Sequence, residues 1–122
     1  MPWDWVGFKE VAERLAVSSD EGDQRTAISR AYYFAHHRAC EYCSEVLNET
    51  LPRDGRRHQV VIDLLDQGNV AESIVAGKLK RIRSERTKAD YDRRYERPIE
   101  RSVNLAMADS LSVAEDLQKL KA

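Results

Sequence analysis

Between Gln24 and Asn48 apolar side chains recur at steps of three and four: Ile28, Ala31, Tyr32, Ala35, Ala39, Tyr42 and Val46. That is the 3.6-residue period of an α-helix, which gathers such residues onto one side. Only five glycines and three prolines punctuate the 122 residues, and no stretch alternates apolar with polar as a half-buried strand would. Helices must therefore carry the fold, and the remaining segments are read by the same rule.

A first helix is expected from about Asp4 to Ala16, with Phe8, Val11, Ala12 and Leu15 as its stripe. A loop over residues 18–22 leads to Asp23 as the N-cap of the long second helix. Leu51-Pro52-Arg53-Asp54-Gly55 breaks the chain. A third helix follows from about Arg57 to Gln67, with Gly68-Asn69 closing it. A fourth runs from about Val70 to Tyr91, buried through Ile74, Val75, Leu79 and Ile82. Pro98 suits the first turn of a fifth, where its missing N–H is no loss, and Ile99, Val103, Ala106, Met107, Val113, Ala114 and Leu117 form its apolar side. With 42% apolar and 34% charged residues the chain has a globular balance, and its length fits one domain over residues 1–122. The expected fold is an all-α bundle of four to five helices.

The second helix carries Arg30, Tyr33, Phe34 and His37 opposite its apolar stripe, aromatic rings interleaved with polar groups. A helix of this kind is central in a bundle or lies at a subunit contact, and so short a chain favours the contact. No apolar run approaches the roughly 20 residues needed to span a bilayer, and the N-terminus has no basic-then-apolar signal pattern. Together with two cysteines, too few for a disulfide framework, this points to a cytoplasmic protein and away from a membrane one.

Charge is unevenly spread. Residues 78–97 hold nine basic groups against four acidic ones, +5, while the whole chain is −1. Such asymmetry attracts polyanions such as RNA, or else marks a solvated helix face laced with ion pairs. Position separates the two. On the helical wheel Arg86 falls between Leu79 and Ile82, beside the buried stripe, with Asp90 four residues on and Arg83 on the same edge. A charge there needs a partner. Asp90 supplies one, either as a structural ion pair or as a brace that presents the guanidinium fork to a phosphate.

No cofactor or metal is expected. His36, Cys40 and Cys43 share one helical edge, but a straight helix seldom supplies three zinc ligands, and the bland reading is two half-buried thiols beside a surface imidazole. There is also no Gly-rich phosphate loop and no nucleophile motif.

Ala27-Ile28-Ser29-Arg30-Ala31-Tyr32-Tyr33, followed by His37 and Arg38, resembles the second-helix signature of HEPN domains (higher eukaryote and prokaryote nucleotide-binding). The likeness is nearest to the small prokaryotic branch that pairs this signature with a later Arg-x-x-Ala-Asp-Tyr, here supplied by Arg86-Thr87-Lys88-Ala89-Asp90-Tyr91; it spans about residues 24–120. The resemblance implies a homodimer working in a toxin–antitoxin, phage-defence or RNA-processing system. Many such proteins are metal-independent ribonucleases in which an arginine is followed after four to six residues by a histidine. In this chain the last histidine is His58, and Tyr91 stands where the later one would be. The one literal Arg-x4-His, Arg53 to His58, spans the turn before the third helix, a different element. By resemblance Arg86 binds phosphate, Asp90 orients it and Tyr91 assists catalysis, while Arg83, Arg30, Tyr33 and His37 line the cleft. The expectation is a dimeric RNA-interacting effector, a ribonuclease with a degenerate motif. The alternative is a non-catalytic interaction module that partners a nucleotidyltransferase, an antitoxin or another neighbouring protein.

Overall fold

The computed structural model describes residues 2–122; Met1 lies outside the described residues. Five helices follow in order: α1 (Val6–Ala16), α2 (Glu21–Glu45), α3 (Arg57–Asp66), α4 (Val70–Tyr91) and α5 (Ile99–Lys121). The described residues contain no strand, and no helix is long and apolar enough to cross a membrane.

Helix α2 touches each of the other four, while α3 packs on α4 and α4 on α5. The largest wholly buried side chains are Ile28 and Tyr32 from α2, Val61 and Leu65 from α3, Val75, Leu79 and Ile82 from α4, and Val113 from α5. These come from the apolar stripes of four helices, which interdigitate around α2. The arrangement corrects one expectation. The second face of α2 is not left for another subunit, because α1 lies along it: Phe34 is buried, Trp5 stacks on His37, and Phe8 lies under the Arg30 guanidinium. Eleven residues at the N-terminus suffice to cover a face that the length of the chain seemed to leave open.

Helix ends follow local side-chain chemistry. Asp20, not Asp23, caps α2, its Oδ2 accepting from the Asp23 N–H at 3.0 Å. Asp23 itself takes the Ser18 hydroxyl at 2.7 Å. The helix ends at Glu45, earlier than its pattern suggests. Asn48 turns the chain at a φ of 55°, a left-handed conformation that asparagine tolerates, and the Glu49 N–H donates back to Cys43 O. Helix α4 begins with a full capping box: Asn69 accepts from the Glu72 N–H at 2.8 Å and Glu72 returns the bond to the Asn69 N–H at 2.9 Å. The other oxygen of buried Glu72 accepts from the Tyr42 hydroxyl at 2.6 Å, so one carboxylate ties α2 to the start of α4. A Cβ on Gly68 would come within 2.2 Å of Glu72 Oε1, which explains a glycine there.

Part of the basic run over residues 78–97 is neutralised by ion pairs. Lys78 pairs with Asp116 and Arg81 with Asp109, both on α5, Lys80 pairs with Asp66 at the end of α3, and Arg97 pairs with buried Glu85. Arg83 and Arg86 turn the other way, towards α2 and α3.

Asn69→Ala should lower stability by about 1 kcal/mol, the usual cost of losing an N-cap. Glu72→Ala should cost more, about 1–3 kcal/mol on top of the cap, because it also strands the buried Tyr42 hydroxyl. Urea denaturation of both variants checks the order.

Candidate functional site

Two side-by-side rows on α2 build the floor of the site. Tyr32 and His36 are four residues apart, as are Tyr33 and His37, so each pair lies one above the other on the helix. Across them, α3 brings Arg57 and His58 in its first turn, and α4 brings Arg83 and Arg86, three apart and therefore on one side. Trp5, just before α1, closes the far end over His37. All three histidines of the chain meet here.

Arg86 is held mainly by aromatic faces. Its Cζ lies 5.3 Å from the centre of the Tyr32 ring and 5.6 Å from that of Tyr33, distances at which a cation is attracted to the ring quadrupole. The ion pair with Asp90 is present but long, 3.5 Å from Nη1 to Oδ2. Among the described residues nothing bonds Nε, and the side chain is 12% exposed. A guanidinium has five N–H donors, and here a single long contact uses any of them. Sequestering a charged donor set this incompletely paired is costly unless something else completes it.

His58 sits beside this arginine. Its Nδ1 is hydrogen-bonded to the Tyr32 hydroxyl, and its ring stacks on His36 with centres 4.3 Å apart. Arg83 is fixed nearby, donating to Gln59 Oε1 at 3.0 Å. Arg30 lies over Tyr33 at 5.0 Å, and His37 lies 6.2 Å from the same ring.

Burial and surrounding cations keep the imidazoles neutral. His36 is pushed down to about 3, first by burial and then by the other two histidines and Arg57 and Arg83. His37 is pushed down to about 4 by burial, then by Arg57, His58 and Arg30. His58, more open, is lowered by burial and by Arg83, Arg86 and Arg57. Tyr32 moves the opposite way: burial raises it well above the usual tyrosine range, outweighing Arg83 and Arg86, so its hydroxyl stays protonated. The patch thus combines fixed positive charge with a neutral, partly exposed imidazole. Guanidinium groups of this kind can hold a phosphate oxygen, and a neutral imidazole can take a proton.

Of the residues singled out in the sequence, Arg86, Arg83, Arg30, Tyr33 and His37 come together in this patch. Asp90 reaches it only through its contact with Arg86. Tyr91 does not join: it is 75% exposed and, five residues from Arg86, points to another side of α4. Three residues central to the geometry had little sequence signal. Tyr32 reads as core. Trp5 lies before the first periodic stripe. His58 stood in the only Arg-x4-His of the chain and, by the resemblance, near where such proteins often carry a histidine opening the third helix, but on an element that seemed remote from Arg86. His36 is a correction: expected at the surface, it is 4% exposed, with its Nε2 3.5 Å from Cys40 Sγ. Cys40 and Cys43 are also fully rather than half buried, and burial pushes their thiols up to about 11 and 12. Among the described residues no group of three or more His, Cys, Asp or Glu is placed to hold a metal ion.

The neutral histidines make stability depend on acid. An unfolded histidine titrates near 6.5, whereas folded His36 resists protonation until about 3, so below about pH 6.5 the unfolded chain takes up the extra proton and gains. The contribution is complete above pH 6.5 and falls away between 6.5 and 3. Melting temperature should therefore drop on acidification from pH 7 to 4.5, and His36→Phe should show a shallower drop; calorimetry across that range checks both.

No protein-family model, curated protein or solved structure matches this chain.

Proposed function

We propose that this protein is a HEPN-like RNA-interacting effector of a prokaryotic toxin–antitoxin or defence system, acting as a homodimer, and that its patch is a metal-independent ribonuclease centre. The observation that carries the reading is the pairing of Arg86, with most of its donors unused, with His58, a neutral imidazole, across Tyr32. The sequence resemblance supports the substrate class. The homodimer rests on that resemblance alone, since α1 covers the face that first suggested it.

Cleavage of RNA without a metal needs a base for the 2′-hydroxyl, a cation for the charge developing on phosphorus, and a donor for the leaving oxygen. When His58 donates its Nδ1–H to the Tyr32 oxygen, its Nε2 lone pair is free to take the 2′-hydroxyl proton; the departing 5′-oxygen takes its proton from water at this partly open patch, and His58 then returns its own to solvent. Arg86 would hold the non-bridging phosphate oxygens, with its plane fixed by the two tyrosine faces. Arg83 adds charge beside it. Because the lowered His58 is already in its base form at neutral pH, activity should be level around pH 7 and should fall as pH drops below the ordinary histidine range.

The test is cleavage and binding of RNA at low salt. Arg86→Ala should reduce cleavage per folded molecule by about 10²–10³-fold. His58→Ala should reduce it by about 10²-fold while leaving binding nearly intact. Tyr91→Phe, at an exposed position, should leave it unchanged. If wild type neither binds nor cleaves RNA and Arg86→Ala alters nothing, the reading is wrong.

One observation favours a second reading. Tyr91 is exposed between Asp90 and Asp92 at the end of α4, away from the patch, and so is free to meet another protein. In that case the chain is a non-catalytic module for a nucleotidyltransferase or an antitoxin. Co-expression with the adjacent reading frame should then yield a stable complex that Tyr91→Ala weakens.

A further inference from the structure

Next to the patch lies an open groove of about 450 Å³ between α2, the lead-in to α1 and the loop before α3. The wall nearest the patch is the Trp5–His37 stack, whose ring centres are 3.4 Å apart and whose planes are within 8° of parallel. Leu51 adds apolar surface, and Arg53 and Arg57 supply the cations. Arg57 is held in place by its bond from Nε to Pro52 O at 2.6 Å, while Arg53 is exposed and has no partner among the described residues. Two of the carboxylates on the groove, Glu41 and Glu45, are paired with Arg38 and Lys121. The third, Glu49, is exposed and has no ion-pair partner among the described residues, so what remains is an uncharged aromatic stack beside two guanidinium groups and one carboxylate.

The groove adjoins the patch through shared side chains, with buried His36 between them. His37 lines it, His36 lies 5.3 Å from His37, and His58 lies 4.3 Å beyond His36. Arg57 borders both, since its charge acts on His37 and on His58.

We propose that this groove is a nucleotide subsite of the same centre, in which the Trp5–His37 platform stacks one unpaired base of a single-stranded RNA while Arg53 and Arg57 hold the phosphate next to the one on Arg86. The proposal rests on the RNA reading above and sharpens its substrate to single strands. Indole and neutral imidazole stack on any base because every base has a π-face, whereas a base locked in a duplex cannot turn out into a groove.

The experiment uses the Trp3→Phe protein, in which Trp5 is the only indole. Three probes are titrated at low salt: an unstructured single-stranded RNA hexamer, the same sequence as a duplex, and an abasic hexamer that keeps the phosphates. The single strand should quench Trp5 fluorescence, and the duplex and abasic probe should not. Trp5→Leu should weaken the single strand by roughly ten-fold, the scale of losing one stacked base, and leave the abasic probe unaffected. Arg86→Ala should weaken every probe that binds. If the single strand binds in an Arg86-dependent way without quenching Trp5, the subsite is refuted and the phosphate site stands. If no probe binds, the RNA reading falls and the subsite falls with it. Quenching is read on the protein with its groove intact, so a poorly folded Trp5→Leu would not blur the result.

Discussion

Helix α2 is enclosed by the other four helices, and that enclosure sets the terms for the rest of the molecule. A helix in contact with solvent can leave polar side chains to water. A helix surrounded by protein must find internal partners for them, since an unpaired buried polar group costs about 1–3 kcal/mol. The side chains of α2 are partnered accordingly: Tyr42 donates to Glu72, His36 lies against Cys40 and His58, and Tyr32 bonds His58. Arg25 near its start caps the end of α4, donating to the carbonyls of Ala89 and Asp92 at 2.9 and 2.6 Å. Each of these contacts is at once a tether between elements and a constraint on what the site can be.

The basic helix α4 shows why position outranks count. Nine cations over twenty residues suggest a polyanion surface, yet Lys78, Lys80, Arg81 and Arg97 are used to hold α4 to its neighbours. Arg83 and Arg86 differ because neither is held by a close carboxylate: Arg83 donates to Gln59, and Arg86 lies over two tyrosine rings with only a long contact to Asp90. A guanidinium lying on an aromatic face keeps its in-plane donors free, whereas one in a bidentate ion pair spends them. That difference makes Arg86 the natural centre of a phosphate-binding reading, and it makes His58 its natural companion.

Much of the fold was legible in the order of residues. The five helices, the limits of α4 and the Pro98 entry to α5 all follow from periodicity and end signals, which act within a few residues of one another, whereas Asn69, read as closing α3, in fact caps α4. Arg86 could be placed beside the buried stripe by counting turns alone. Two of the misplacements share one cause. His36 was read as surface, and the Tyr33–His37 face as open, because both depend on what lies across from α2 rather than on α2 itself. Asp23 was taken for a cap that Asp20 provides, an ambiguity between two equally suitable carboxylates three residues apart.

The sequence by itself determined an all-helical chain, most of each apolar stripe (Val46 and Ile74, read into theirs, stand exposed), and the half-buried place of Arg86, because each depends on spacings of three and four along one helix. Only the tertiary structure decided that α1 would cover α2, that Lys78, Lys80 and Arg81 of the basic run would be paired by α3 and α5, and that His58, 28 residues before Arg86 and on another helix, would stand at its side. Those outcomes turn on which faces meet when the helices pack. Helical periodicity says that a face is apolar or charged, but it does not name the face opposite.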